Sequence, residues 1–179
     1  MSSSKLVAIV GHSLVPPSIG TIDGTVIRVF RSPGARVANF DRNSTLNDVL
    51  SWCHDITILF IGGNDNDDCI PAEIANNIIQ VVEKIHAYCG SHICLVLIEH
   101  RNPLPGNRFN VTASNYNRIA NNINNRLKRK FKRKDYVRFI SVSAKPFQVG
   151  VTDGVHFDED SKAEIVSNKS ALLTTIKLI

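Results

Sequence analysis

The segment "ITILFIGGND", residues 56–65, joins a nearly continuous apolar run to a polar turn that is rich in glycine. An apolar run that does not alternate with polar residues is typical of a strand buried on both faces. Such strands belong to parallel sheets, which are covered by helices on both sides. The segment therefore predicts an α/β domain and places a polar turn at the carboxyl end of one strand.

Similar apolar runs recur along the chain and alternate with helical patterns. The predicted strands are 6–10, 25–30, 56–61, 93–98 and 137–142. The predicted helices are 46–52, 71–89 with Pro71 in its first turn and Gly90 at its end, 114–132 and 160–178. This alternation implies right-handed crossovers. We predict a three-layer α/β/α, flavodoxin-like domain with a five-stranded parallel sheet that spans residues 1–179 as a single domain.

The composition is that of an ordinary globular protein and excludes several classes. The first apolar run is too short for a signal peptide or a membrane span, which predicts a cytoplasmic or nuclear protein. The cysteines have neither the spacing of a zinc site nor the density of a disulfide scaffold. We therefore expect neither a metal nor a cofactor. The segments 14–24 and 101–112 hold several Pro and Gly residues and are predicted to be loops.

Chemically useful side chains follow the predicted strands. Ser13 lies in "GHSLVPP" after the first strand, Gly34 in "RSPGARV" after the second and Asn64 in "GGNDNDD" after the third. Asp153 and His156 lie in "VGVTDGVHFDED", between the last strand and the last helix. Ligands of open α/β sheets bind outside the carboxyl ends of the strands, so these loops are expected to meet at one edge.

Together these residues could perform acyl transfer. Ser13 would be the nucleophile, His156 the base that takes its proton, and Asp153 the carboxylate that orients the imidazole. The backbone N–H groups of Ser13 and Gly34 and the side-chain amide of Asn64 would form an oxyanion hole. Each signal alone also fits a turn or a helix cap. Their common order along the chain favours catalysis.

The set resembles the SGNH hydrolases, also called the GDSL esterase and lipase family. The blocks that carry the resemblance are "GHS" with Ser13, "PGA" with Gly34, "GGND" with Asn64 and "DGVH" with Asp153 and His156. The resemblance covers essentially the whole chain. It implies the SGNH hydrolase fold and a serine esterase or lipase-like acetylhydrolase that cleaves short acyl or lipid esters without a cofactor.

One position departs from the family pattern. The first block is usually Gly-Asp-Ser, in which the aspartate helps to hold the loop, whereas this chain has His12 there. His12 is therefore a candidate residue of the substrate pocket. The "GHS" and "DGVHF" motifs and the small size are more similar to esterase domains of non-LTR retrotransposon proteins than to secreted lipases.

A binding module is the main alternative function. The segment "RLKRKFKRK", residues 126–134, carries more than the whole net charge of +5. It could contact nucleic acid or an anionic membrane through its seven basic side chains, which are Arg126, Lys128, Arg129, Lys130, Lys132, Arg133 and Lys134. A solvated helix end, where cations complement the helix dipole, explains the same segment.

A receiver or nucleotide-binding domain is a second alternative with a similar fold. A receiver needs acidic residues after the first strand and an aspartate that ends the third. This sequence has "GHS" and "GGN" at those places. No glycine-rich phosphate motif follows a strand either. The esterase interpretation is therefore preferred.

Overall fold

The computed structural model describes residues 4–12, 20–22, 24–42, 44–65, 70–100 and 113–141. These residues form one mixed sheet with helices packed against it. The strands are β1 (Leu6–Gly11), β2 (Gly20–Ile22), β3 (Thr25–Arg31), β4 (Ile56–Phe60), β5 (His92–Val96) and β6 (Val137–Ile140). None of the helices in this part of the chain is both long and apolar enough to span a bilayer.

The sheet order is β2-β3-β1-β4-β5-β6, and every neighbouring pair except β2 with β3 is parallel. All five predicted strands are present, and together they form the predicted parallel sheet. Counted among themselves they follow the order 2-1-3-4-5 of doubly wound flavodoxin-like sheets. In that order the chain reverses its direction of winding between β1 and β4, so the ligand crevice is expected at the carboxyl ends of these two strands.

The sixth strand, β2, was not predicted. Residues 20–22 fall in the segment 14–24, which was predicted to be a loop. The strand is only three residues long and pairs antiparallel with β3, with Gly20 opposite Ile27. Gly24, which precedes β3, has a φ of 78°, a value that favours glycine. An edge strand of three residues has too short a pattern to be recognised from sequence.

In the part of the chain that the structure describes, three α-helices and one 3-10 helix accompany the strands. The 3-10 helix is Val37–Arg42, and the α-helices are α1 (Ser44–Ser51), α2 (Pro71–Cys89) and α3 (Ala113–Phe131). The predicted end of α2 is confirmed: Gly90 adopts the left-handed conformation with a φ of 69° and donates its N–H to the carbonyl of His86. The predicted helix at 160–178 lies outside the described residues.

The strands of the sheet bury side chains on both faces, as the continuous apolar runs predicted. In β1, Ala8 and Val10 belong to a large core cluster that includes residues of α1, α2 and α3. Val7 and Ile9 point to the other face and join a smaller cluster with Ile58. The period of two along a strand explains this division. Among the described residues, all three α-helices pack on the first face, whereas the cluster on the second face consists of strand residues.

His54, two residues before β4, is a buried polar residue that is 4% exposed. Its Nδ1 lies 2.7 Å from the carbonyl oxygen of Trp52, and its Nε2 lies 2.6 Å from Oγ1 of Thr57. A carbonyl can only accept, so Nδ1 carries a proton and donates it in a hydrogen bond to Trp52. Burial lowers the pKa of His54 below its ordinary value, and this effect exceeds the opposite effects of the Trp52 carbonyl and of Asp55.

We expect His54 to make folding sensitive to acid. The folded protein disfavours the protonated imidazole, which the unfolded chain accepts, so the free energy of unfolding should decrease as the pH falls below about 6.5. The variant His54→Gln has no titrating group at this position. Urea unfolding at about pH 7.5 and about pH 5.5 should therefore show that the stability advantage of the wild type shrinks in acid. An advantage that does not change with pH would contradict this role of His54.

Candidate active site

The carboxyl ends of β1, β3 and β4 form a shared edge at which three loops meet. The first loop begins at His12, whose backbone N–H donates to the carbonyl of Phe60 in β4 at 3.4 Å. The second loop begins at Ser32, whose N–H donates to the carbonyl of Gly11 at 2.8 Å. These bonds continue the ladders of the sheet past the strand ends. His12 at the end of β1 and Ser32 at the end of β3 are therefore held in fixed positions.

The loop after β3 is a tight turn around Gly34. The N–H of Ala35 donates to the carbonyl of Ser32 at 3.1 Å and closes the turn. Gly34 has a φ of 71°, and a Cβ at this position would meet no atom within 4 Å. The requirement for glycine is therefore conformational rather than steric. The open space also leaves the backbone of Gly34 accessible to a ligand.

Asn64 lies against this turn. Its Nδ2 donates to the carbonyl oxygen of Ala35 at 3.2 Å, across a sequence separation of 29 residues. A side-chain amide carries two N–H groups. The second one has no partner among the residues that the structure describes. The structure thus brings two of the predicted oxyanion-hole residues, Gly34 and Asn64, to adjacent positions and orients the amide by one bond.

Asp65 connects the same two loops through its buried carboxylate. It is 1% exposed, and its two carboxylate oxygens accept the N–H of Val37 at 2.9 and 3.1 Å. Val37 is the first residue of the 3-10 helix, so Asp65 caps that helix from another loop. Burial raises the pKa of Asp65, although hydrogen bonds from Val37 and Ala38 and the charge of Arg36 act in the opposite direction.

Removing this cap should destabilise the protein. The variant Asp65→Ala leaves the buried N–H of Val37 without its acceptor, which costs about 1–3 kcal/mol in the free energy of unfolding. Urea unfolding at neutral pH measures this loss, and Asp48→Ala on the exposed face of α1 is the matched control. If both variants lost the same small amount, the carboxylate would contribute no more than a surface residue.

His12 is buried behind these loops, with 5% of its surface exposed. A Cβ on Gly63 would lie 3.2 Å from Nε2 of His12. The same Cβ would lie 3.7 Å from the hydroxyl oxygen of Tyr116. Tyr116 also donates to the carbonyl of Gly63 at 3.3 Å. Tyr116 could not be identified from the sequence, because a tyrosine on the apolar face of a helix resembles any core residue. Its position three residues after Ala113, in the first turn of α3, is the signal that it reaches this edge.

The remaining predicted site residues, Ser13, Asp153 and His156, lie outside the described residues. Their roles as nucleophile, orienting carboxylate and base stay predictions. His12, which directly precedes Ser13 in the sequence, is the last described residue at the carboxyl end of β1. The predicted role of His12 in a substrate pocket is likewise untested.

An open cavity of about 600 Å³ lies at the same edge, beyond β5. Its lining residues are His100, Ala113, Ser114, Asn117, Arg118 and Asn121. Nε2 of His100 lies 2.9 Å from Oδ1 of Asn121, and Arg118 donates to Oδ1 of Asn115 at 2.7 Å. The cavity therefore presents orientated hydrogen-bonding groups and one guanidinium group.

The basic segment lies far from this edge, because α3 starts at the carboxyl end of β5 and ends where β6 begins. Its exposed side chains are partly engaged within the protein. Arg126 donates to Oδ1 of Asn122, Arg129 to the carbonyl of Asn125, and Lys130 forms an ion pair with Glu83 at 3.1 Å. Leu127 and Phe131 are buried. These contacts favour a solvated helix end and give no support to nucleic-acid binding.

Comparison with known proteins identifies sequence and fold relatives. The sequence pattern of the GDSL-like lipase/acylhydrolase family matches residues 9–168, a range that includes Ser13, Gly34, Asn64, Asp153 and His156. No curated protein gives a significant match. The family predicted from the four motifs is thus confirmed, whereas the narrower resemblance to retrotransposon esterase domains stays a prediction.

Several solved structures are similar in fold. A carbohydrate acetylesterase from Sinorhizobium meliloti has a TM-score of 0.66 and 16% identity, over 94% of this chain and 100% of that chain. The psychrotrophic esterase EstA from Pseudoalteromonas has a TM-score of 0.67 and 10% identity, over 98% and 100%. A GDSL-like lipase from Bacteroides thetaiotaomicron has a TM-score of 0.65 and 14% identity, over 96% and 89%. At these identities the likeness concerns the fold alone.

Proposed function

Because the chain belongs to the GDSL-like lipase/acylhydrolase family, the SGNH hydrolases, we propose that it is a serine esterase that acts on carboxylic esters of acetyl or other short acyl groups. The reaction passes through an acyl-enzyme on Ser13. It needs no cofactor, because an activated hydroxyl and a set of hydrogen-bond donors supply the chemistry.

In the first half of the reaction, Nε2 of His156 takes the proton of the Ser13 hydroxyl while the oxygen attacks the ester carbonyl carbon. Asp153 accepts a hydrogen bond from Nδ1 and stabilises the imidazolium ion that forms. The carbonyl π electrons move onto oxygen and create a tetrahedral oxyanion. When the carbonyl re-forms, the bond to the leaving alcohol breaks, and His156 gives the proton to the alcohol oxygen.

In the second half, water replaces the serine hydroxyl as the nucleophile. His156 takes a proton from water, the oxygen attacks the acyl-enzyme, and a second oxyanion forms at the same place. Its collapse breaks the bond to Oγ of Ser13, which recovers its proton from His156. The products are the carboxylic acid and the free enzyme.

The observation that carries the proposal is the contact between Asn64 and the Gly34 turn. One N–H of the amide is held by the carbonyl of Ala35 at 3.2 Å, which fixes the direction of the other. An oxyanion hole requires donors that are orientated before charge develops, since reorientation during the reaction would cost free energy. Donors from the loops after β3 and β4, next to the loop that leads to Ser13, supply this arrangement.

Hydrolysis of p-nitrophenyl esters by the purified full chain tests the proposal. We expect turnover of p-nitrophenyl acetate at about pH 8, where a histidine base is neutral, and lower turnover of long-chain esters. A fluorophosphonate probe should label the protein, and mass spectrometry should locate the adduct on Ser13. A folded protein that neither turns over any of these esters nor reacts with the probe would overturn the proposal.

A further inference from the structure

The contact between His12 and Gly63 joins the loop of the predicted nucleophile to the loop of the predicted oxyanion donor. His12 directly precedes Ser13, and Gly63 directly precedes Asn64. The imidazole is buried, with its Nε2 close to the α-carbon of Gly63, so that a Cβ there would be only 3.2 Å away. Ordinary contacts of a Cβ begin at about 3.4 Å. The ring would therefore have to shift by a few tenths of an ångström to admit a Cβ at position 63.

The glycine at position 63 is explained by this close approach and not by its backbone conformation. The described glycines with positive φ are Gly24, Gly34, Gly62 and Gly90, and Gly63 is not among them. Alanine could adopt its conformation without the strain of the left-handed region. The requirement for glycine therefore has a different cause at position 63 than at position 62. Gly62 has a φ of 95°, and a Cβ there would also lie 2.9 Å from Cδ1 of Ile78 and of Ile98.

Tyr116 contacts the same peptide. It is 3% exposed, and its hydroxyl donates to the carbonyl oxygen of Gly63 at 3.3 Å. This bond is long for a hydroxyl donor and hence weak. Both polar groups lie near the same α-carbon, since a Cβ on Gly63 would be 3.2 Å from Nε2 of His12 and 3.7 Å from the Tyr116 hydroxyl oxygen. The peptide that leads into Asn64 is therefore contacted by α3 and by the residue that precedes Ser13.

We propose that His12 is a positioning residue for ester hydrolysis, whose ring packs against Gly63 and holds in place the peptide that leads into the Asn64 donor. The inference rests on the proposed function. It assigns to the imidazole a steric role at the place where the family pattern has an aspartate. His12 acts through Asn64 and does not touch the substrate.

A double-mutant cycle tests this role with the variants Gly63→Ala, His12→Ala and the combination of both. In the wild-type background the added Cβ must displace the ring or the 63–64 peptide by a few tenths of an ångström. We expect Gly63→Ala to lower kcat for p-nitrophenyl acetate about tenfold with little change in KM, since misplaced catalytic groups affect the transition state most. In the His12→Ala background the same methyl group has space, and it should cost less than about twofold.

The variant Gly62→Ala is the matched control. Its damage comes from backbone strain and from the contacts with Ile78 and Ile98, so it should lower activity by the same factor whether or not His12 is present. Urea unfolding of each variant shows whether it is fully folded under the assay conditions, so that the loss of kcat is measured on folded protein. If the losses from Gly63→Ala and His12→Ala simply multiply, the positioning role is wrong.

A second measurement does not depend on activity and separates this inference from the proposed function. In the ¹⁵N spectrum of the full chain, the side-chain amide signal of Asn64 should shift in Gly63→Ala and return towards its wild-type position in the double variant. Such a return supports the positioning contact even if the protein hydrolyses no ester. An Asn64 signal that does not respond to Gly63→Ala would overturn the inference, even if the protein is an active esterase.

Discussion

Replacement of Ser13 by alanine is expected to lower kcat for a short acyl ester by about 10⁴- to 10⁶-fold. Alanine has no hydroxyl, so no acyl-enzyme can form, and His156 has no bound proton to remove. The remaining activity would come from the oxyanion donors and from direct attack of water. KM and the free energy of unfolding should change little, because the substitution removes a single oxygen atom.

The measurement combines steady-state hydrolysis of p-nitrophenyl acetate with fluorophosphonate labelling. Wild type should release a burst of p-nitrophenol equal to the enzyme concentration if deacylation is slower than acylation, and Ser13→Ala should show neither burst nor label. Ser51→Ala is the matched control, since Ser51 is an exposed serine at the end of α1. A Ser13→Ala variant that kept its label and its turnover would place the nucleophile at another residue.

The parallel sheet could be predicted because burial on both faces leaves a direct mark on the sequence. The strand β4 has no exposed residue, and its run of apolar residues was visible without any structure. The strand β2 left no such mark, since three residues at a sheet edge need no apolar pattern. The pairing of β2 with β3 depends on the backbone of both strands, which the residue types do not reveal.

The grouping of Gly34 with Asn64 could also be predicted, because the carboxyl ends of parallel strands share one edge. Their mutual orientation could not be predicted. It depends on a bond from Asn64 to the carbonyl of Ala35 and on a carboxylate cap from Asp65 to Val37. Backbone groups such as these are present at every residue, so the sequence gives no sign of which one is used.

Tyr116 illustrates the same limit for a side chain. A helix at 114–132 was predicted from the sequence, and Tyr116 lies on the buried face of α3. Its hydroxyl has to find a polar partner when the ring is buried. That partner is the carbonyl of Gly63, 53 residues earlier in the chain. Only the packing of α3 against the carboxyl edge of the sheet determines this choice.

The variant Asn64→Ala is expected to lower kcat about 100- to 1,000-fold, the second largest effect after loss of the nucleophile. Alanine removes the amide N–H that would face the oxyanion and leaves only the two backbone donors of Ser13 and Gly34. Because the charge on the substrate oxygen develops in the transition state, the loss should appear in kcat and only weakly in KM.

The same substitution also removes the bond to the carbonyl of Ala35, so its structural cost has to be measured separately. That carbonyl is only half-buried, and loss of the donor should change the free energy of unfolding by no more than about 1 kcal/mol. Asn47→Ala on the exposed face of α1 is the matched control for removal of an asparagine amide.

The variant Asn64→Asp separates the two roles of the side chain further. It keeps the shape of the amide but has no N–H, and its negative charge opposes the oxyanion, so kcat should fall at least as far as in Asn64→Ala. Fluorophosphonate labelling should slow in parallel, because the phosphonyl oxygen needs the same donors. If Asn64→Ala stays within a few-fold of wild type in kcat while it remains folded, Asn64 is not an oxyanion donor. The bond to Ala35 is then its whole function, and the loops after β1 and β3 must stabilise the transition state without it.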